Sequence, residues 1–241
     1  MKVLIDERGR KYLVEGRELH TKQGIVRIED DAHRASSHLG HSFVVLDPDI
    51  VDIYEKMPRA GSFMLKKDIA LILACLGVGA GKTVVDAGAG SGALAIFLGN
   101  VVGPGGRVVT YERNRDFAER AERNLGLAGL QGVVEVRVRD VLDDGFDEPD
   151  SSADAVTLDM KESWKMISEA KRVLRRGGRT AIYTVYVEHA RAAHEALLKE
   201  GFAEVRTIET VTREMEFRRQ GSRPKTGRVG HSGYLTFGRK V

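Results

Sequence analysis

The chain has 241 residues, enough for one sizeable core or for a main domain with a small appendage. With 42% hydrophobic and 30% charged residues it has the composition of a soluble globular protein, and no apolar run nears the roughly 18 residues of a membrane span. A single cysteine, Cys75, excludes an intrachain disulfide and a cysteine-built zinc cage, and the N-terminus lacks the apolar core of a signal peptide, so the expected compartment is cytoplasmic.

Charge is unevenly placed. Residues 211–241 carry eight Lys and Arg against Glu214 and Glu216, a balance of +6, which leaves −3 of the total +3 for everything before them. A basic terminal segment on a slightly acidic body points to a polyanionic partner.

The first fifty-odd residues alternate short β-type runs (KVLID, KYLVEG, GIVRIED, FVVLDP) with charged turns. They predict a small antiparallel β module over residues 1–55, and DPDIVDIYEKMPRAGS reads as a connecting segment into a main domain over 56–241. From Lys66 the period becomes helical, in KKDIALILACLGV. Strands and helices then alternate: KTVVDAG, GALAIFLGNVV, GRVVTYE, RDFAERAERNLGLAG, VVEVRVRD, ADAVTLDM, SWKMISEAKRVLRRGG, RTAIYTVY and VEHARAAHEALLKEG. This alternation predicts an α/β fold with a doubly wound, mostly parallel Rossmann-like sheet. FAEVRTIETVTREMEF and HSGYLTFGRK follow with no helix between them, so an antiparallel hairpin is expected at the sheet edge.

Ligands of such a sheet bind at the carboxyl ends of its strands. The first strand ends in Asp86 and a turn with Gly88, Gly90 and Gly92. Here a backbone free of side chains can pass close to a ligand, and the next helix can pack near the strand. The second strand ends in Glu112, twenty residues after Gly92, the third in Asp140 and the fourth in Asp159. A dinucleotide needs room for pyrophosphate at the helix N-terminus, and acids at the third and fourth strands would crowd that anion. S-adenosylmethionine carries an ammonium, a sulfonium, ribose hydroxyls and an adenine amine, and no phosphate. Four acids suit it better than they suit NAD.

The ordered set DAGAGSGAL, TYER, RD and LDM resembles the class I S-adenosylmethionine-dependent methyltransferases. The run from KKDIALILACLGVG to RAERNL, together with RPKTGRVGHSGYLTFGRK, is similar to the tRNA (adenine-58-N1)-methyltransferase family in its archaeal form. The resemblance implies a cofactor loop from Gly88 to Leu94, with Ser91, Gly92, Ala93 and Leu94 at the methionine end. It also implies a ribose ligand at Glu112 followed by Arg113, an adenine-side acid at Asp140, and a catalytic acid at Asp159 that borders the cofactor as well. It further implies a homotetramer acting on tRNA, methylating N1 of T-loop adenosine 58, with 57 as a further candidate. Arg218, Arg219, Arg223, Arg228 and His231 are the expected RNA contacts. No metal is implied, and the seven histidines show no HExxH spacing.

Two departures border the expected target-base pocket. LDMKESW has Lys161 and Ser163 where the family tends to have prolines, and the linker has Ser62 and Lys66 where Gln and Pro are usual. Trp164 is expected in the core rather than as a wall for a base. Two alternatives stay open on the sequence: a methyltransferase for a protein (isoaspartyl-type) or a small molecule, and a non-catalytic tRNA-binding subunit.

Overall fold

The computed structural model describes residues 1–61, 63–226 and 230–241. The chain divides into two compact units, Met1–Pro58 and Arg59–Val241.

The first unit holds β1 (Lys2–Asp6), β2 (Lys11–Val14), β3 (Glu18–Thr21), β4 (Gly24–Arg27), β5 (Arg34–Ser36), β6 (Ser42–Leu46) and α1 (Ile50–Lys56). Strands β2-β1-β6-β5 form one antiparallel sheet, and β3 and β4 pair as a separate hairpin. Alternation in β6 turns Phe43 and Val45 inward, where they join Leu4, Val14, Val26 and Ile28 in a small core. The segment read as a connection contains helix α1. Its cap is local: Asp49 accepts from the amides of Val51 and Asp52, and Asp52 accepts in return from the Asp49 amide.

The second unit opens with α2 (Lys66–Leu76) and continues through β7 (Thr83–Ala87), α3 (Ala93–Val102), β8 (Arg107–Glu112), α4 (Arg115–Leu127), β9 (Val134–Val138), α5 (Val141–Asp144), β10 (Ala153–Leu158), a 3-10 turn at Ser163–Met166, α6 (Ile167–Val173), β11 (Leu174–Thr184) and α7 (Val187–Lys199). It ends with β12 (Ala203–Glu209), the hairpin strands β13 (Met215–Arg218) and β14 (Gly221–Pro224), and β15 (Tyr234–Arg239). Seven strands form one sheet in the order β12-β15-β11-β10-β7-β8-β9. β7 to β11 run parallel through the pairs β7–β8, β8–β9, β10–β7 and β10–β11, while β15 is antiparallel to both β11 and β12.

The α/β expectation holds, with two refinements. β12 and β15 form the expected antiparallel pair at the sheet edge, with β12 outermost, but the helix expected over SWKMISEAKRVLRRGG ends at Val173 and residues 174–178 belong to β11. The long strand expected from Phe202 to Phe217 stops at Glu209, and Met215–Arg218 pairs only with Gly221–Pro224. The alternation of TREMEF is real, but its partner is the next four residues, not the sheet. Strand order reverses between β7 and β10, which opens the ligand crevice of an open α/β sheet at their carboxyl ends. Val85, Ala87, Val156, Leu158 and Ile182 pack beneath it in the main core.

Candidate active site

A cavity of about 280 Å³ opens at that crevice. Its wall includes Gly88, Gly90, Glu112, Arg113, Asp140 and Asp159 of the sequence-expected set. Ala60, Asn114, Phe117 and Leu142 also line it and were not expected.

The glycine turn is held by backbone bonds. Gly88 N and Ala89 N donate to Tyr111 O at 2.9 and 3.1 Å, and Gly90 N donates to Glu112 Oε2 at 2.9 Å. Gly88 has φ +94°, and a Cβ there would lie 1.9 Å from Asp159 O. Two independent reasons therefore demand glycine: the left-handed backbone and the neighbouring strand end. At Gly92 (φ +81°) a Cβ would meet Ala121 of α4 at 3.4 Å, so this residue serves helix packing.

Ser91 is buried and faces away from the cavity. It accepts from Ala60 N at 2.6 Å and donates to Ala60 O at 3.0 Å, while its own carbonyl accepts from Asn124 Nδ2 at 2.8 Å. The loop is thus stapled to the residues that enter this unit, and Ala60 becomes a cavity wall. Ala93 and Leu94 begin α3 and are buried behind the loop.

The four expected acids separate by environment. Asp86 lies within β7, fully buried behind the loop, and accepts from Thr110 Oγ1 on β8 and Thr157 Oγ1 on β10. Burial raises its pKa against the pull of those two hydroxyls. Glu112 uses its second oxygen to accept from Asn114 N at 3.0 Å and also lines the cavity. Asp140 caps α5 by accepting from Leu142 N at 3.1 Å and lies 3.6 Å from Arg113 Nη1. Asp159 directly follows β10, where Leu158 pairs with Ile182 of β11. Its carboxyl group has no hydrogen-bond partner among the described residues. Burial, then the charges of Asp86, Glu112 and Asp68, push its pKa up to about 7.

The cations of this wall are mostly committed elsewhere. Arg139 donates to the carbonyls of Asp144 and Gly145, and Arg113 leans on Asp140. Lys161 is exposed on the rim. What remains is a negative cavity with an unpaired carboxyl group, which matches the chemistry of a cationic ligand bearing hydroxyls and an amine.

On the acceptor side, Tyr183 stands at the end of β11. Burial, Asp68 and Asp159 push its hydroxyl up to about 12. Trp164 packs against the main core, as expected, with its ring 4.7 Å from that of His189. Arg218 and Arg223 lie on the β13–β14 hairpin and share Glu216; Arg219 follows β13 without an ion pair among the described residues. His231 is at the base of this segment, with Nδ1 2.6 Å from Glu209 Oε1 and Nε2 2.8 Å from Val185 O. Arg228 and Ser62 lie outside the described residues. No group of three or more metal-binding side chains occurs among the described residues, and no described helix is long and apolar enough to cross a membrane.

The sheet order with its single reversed strand, the glycine turn at the switch point and the acids around it define the fold of S-adenosylmethionine-dependent methyltransferases. Over its whole length the chain superposes with a TM-score of 0.89 on a SAM-dependent O-methyltransferase of Thermotoga maritima, at 29% identity and 92% coverage of that chain. It superposes at 0.81 on the tRNA (m1A58) methyltransferase TrmI of Aquifex aeolicus, at 22% identity, covering 100% of this chain and 96% of that one. In sequence it is 35% identical over 267 residues to the tRNA (adenine(57)-N(1)/adenine(58)-N(1))-methyltransferase TrmI of Methanocaldococcus jannaschii, covering 99% of this chain and 94% of the relative. Residues 55–223 match the family described as tRNA methyltransferase complex GCD14 subunit. The chain belongs to this tRNA methyltransferase family.

Proposed function

We propose that the protein transfers a methyl group from S-adenosylmethionine to N1 of adenosine 58 in the tRNA T-loop, with adenosine 57 as a second acceptor. The observation that carries this reading is Asp159, an unpaired carboxyl group at the end of β10 between the acidic cavity and the end of β11. Family membership and the similarity to the archaeal relative support the choice of acceptor.

The cavity fits the cofactor by its donor set. Glu112 would hold ribose hydroxyls, Asp140 the adenine amine with Phe117 and Leu142 as apolar walls, and the turn at Gly88 and Gly90 the methionine end, with Ser91 to Leu94 supporting that turn from behind. Asp86 would act from behind, bracing β8 and β10 through the two threonines. When bound, S-adenosylmethionine supplies an electrophilic methyl group.

The chain supplies the rest. N1 lies on the pairing edge of adenine, so the base has to leave its stack before it can be methylated. Ionised Asp159 would accept from the exocyclic amine, aim N1 at the methyl group and offset the positive charge that develops on the ring. The remaining acceleration is positioning, as in any in-line displacement. Arg218, Arg219, Arg223, Arg228 and His231 are the proposed RNA contacts, and a cytoplasmic homotetramer is the proposed working form.

The test is methyl-labelled S-adenosylmethionine with unmodified tRNA transcript, mapped by primer-extension stops. Stops at T-loop adenosine that vanish in Asp159→Ala are expected. Cofactor binding without label in tRNA would sink the reading and redirect the search to protein or small-molecule acceptors, with O-methylation the chemistry named for the Thermotoga relative.

A further inference from the structure

Between β12 and β15 the chain makes a long excursion over residues 211–231, the basic arm that carries the β13–β14 hairpin. Every described residue of 211–226 is exposed except Glu216. A two-stranded hairpin is at best marginal by itself in water, so something outside it must set its direction.

Both ends of the arm are fastened to one carboxylate. Asp68, in the first turn of α2, is fully buried. Its Oδ1 accepts from Thr210 Oγ1 at 2.9 Å, directly after β12, and its Oδ2 accepts from Ser232 Oγ at 2.9 Å, two residues before β15. Lys67 Nζ contacts the same three groups, at 2.7 Å from Asp68 Oδ1, 3.0 Å from Thr210 Oγ1 and 2.6 Å from Ser232 Oγ. Tyr183 Oη donates to Ser232 O at 2.6 Å, and Gly233 lies so flat on the Tyr183 ring that a Cβ would come within 2.4 Å of it.

A buried ion pair is a poor source of net stability, because apolar side chains of similar volume often do as well. Its geometric demand is another matter. Here one pair satisfies two hydroxyls more than twenty residues apart and closes the loop between them.

We propose that Lys67 and Asp68 are positioning residues for the acceptor, a clasp that closes the base of the basic arm beside Asp159 and so presents the bound RNA in one orientation. The proposal rests on the tRNA reading. The clasp is close to the chemistry, since Tyr183, which holds Ser232, follows Ile182, the β11 partner of the Leu158 that precedes Asp159. Neither clasp residue lines the cofactor cavity.

The test uses the full chain with Asp68→Asn and, because loss of a buried charge can prevent folding, the double variant Thr210→Val/Ser232→Ala, which leaves the ion pair intact. Thr210→Ser is the conservative control. Tryptic cleavage within the arm, read by mass spectrometry, is expected to accelerate about tenfold in the double variant as the arm opens locally. The KM for tRNA should rise by about tenfold, while kcat at saturating tRNA stays within about twofold and cofactor affinity is unchanged. Thr210→Ser should behave as the parent. Unchanged cleavage and KM in the folded double variant would overturn the clasp, as would a parallel loss of cofactor affinity. If the parent transfers no methyl group to tRNA, the functional reading falls, and the cleavage comparison still decides the clasp.

Discussion

Asp159 combines a raised pKa with a carboxyl group that has no hydrogen-bond partner among the described residues. Burial first and then three other acids raise this pKa, and no donor among the described residues lowers it. A cationic cofactor favours the ionised form, so binding should release a proton below pH 7 and tighten as pH rises. Affinity is expected to climb up to tenfold per unit toward about pH 7 and then level off, measurable by calorimetry between about pH 5.5 and 8.5. A flat profile would show that Asp159 does not sense the cofactor. Asp159→Asn should remove the pH dependence and lower single-turnover methyl transfer by about 10²–10³, the size of losing one group aimed at developing charge. Gly88→Ala tests the turn: its methyl group has no room beside Asp159 O, and the left-handed backbone adds strain of about 1–3 kcal/mol. Thermal melting should fall accordingly, and cofactor binding with it.

At the scale of elements, the staple between Ser91 and Ala60 makes a testable demand. Ser91→Ala strips a donor and an acceptor from buried backbone groups, which should cost about 1–3 kcal/mol per unsatisfied group. Hydrogen exchange at the Ala60 amide should accelerate by at least the matching factor, and cofactor affinity should drop because Ala60 walls the cavity. The alternation from Thr83 to Lys199 was legible because each strand is an apolar run and each helix has its own period. Helix α5, with four residues, is too short to show one. Helix α1 was hidden in a segment read as a connection, although its cap at Asp49 is local. Glu112, Asp140 and Asp159 were legible because strand ends announce themselves. The Ser91 staple and the Asp68 clasp were not, since their partners lie 31 to 164 residues away and no local pattern encodes such pairs.

Across the whole molecule, charge is divided by task. The last 31 residues hold +6 and the remainder −3, so a crevice lined by acids and a basic arm occur in one chain. Within the arm, Arg218 and Arg223 share Glu216 and Lys225 pairs with Glu214, while Arg213 and Arg219 pair with no described residue. Affinity for tRNA should therefore fall steeply with salt. Replacing Arg213 and Arg219 by Ala should make the log–log slope shallower by roughly 0.7–0.9 per lost phosphate contact, measured by filter binding. A slope unchanged in that variant would place the RNA elsewhere.

The interior position of β15 also sets an order of events in time. The cavity wall is complete in sequence once Lys161 has been made, yet β12 finds its sheet partner in Tyr234–Arg239. At about 5–20 residues per second, a nascent chain passes several seconds with its donor pocket encoded and its arm still a loose strand end. During that interval ribosomal and transfer RNA surround the emerging chain, and a basic segment without its final strand has no fixed direction in which to grip them. On the proposed reading, late insertion of β15 would delay acceptor recognition until Tyr234–Arg239 has been made.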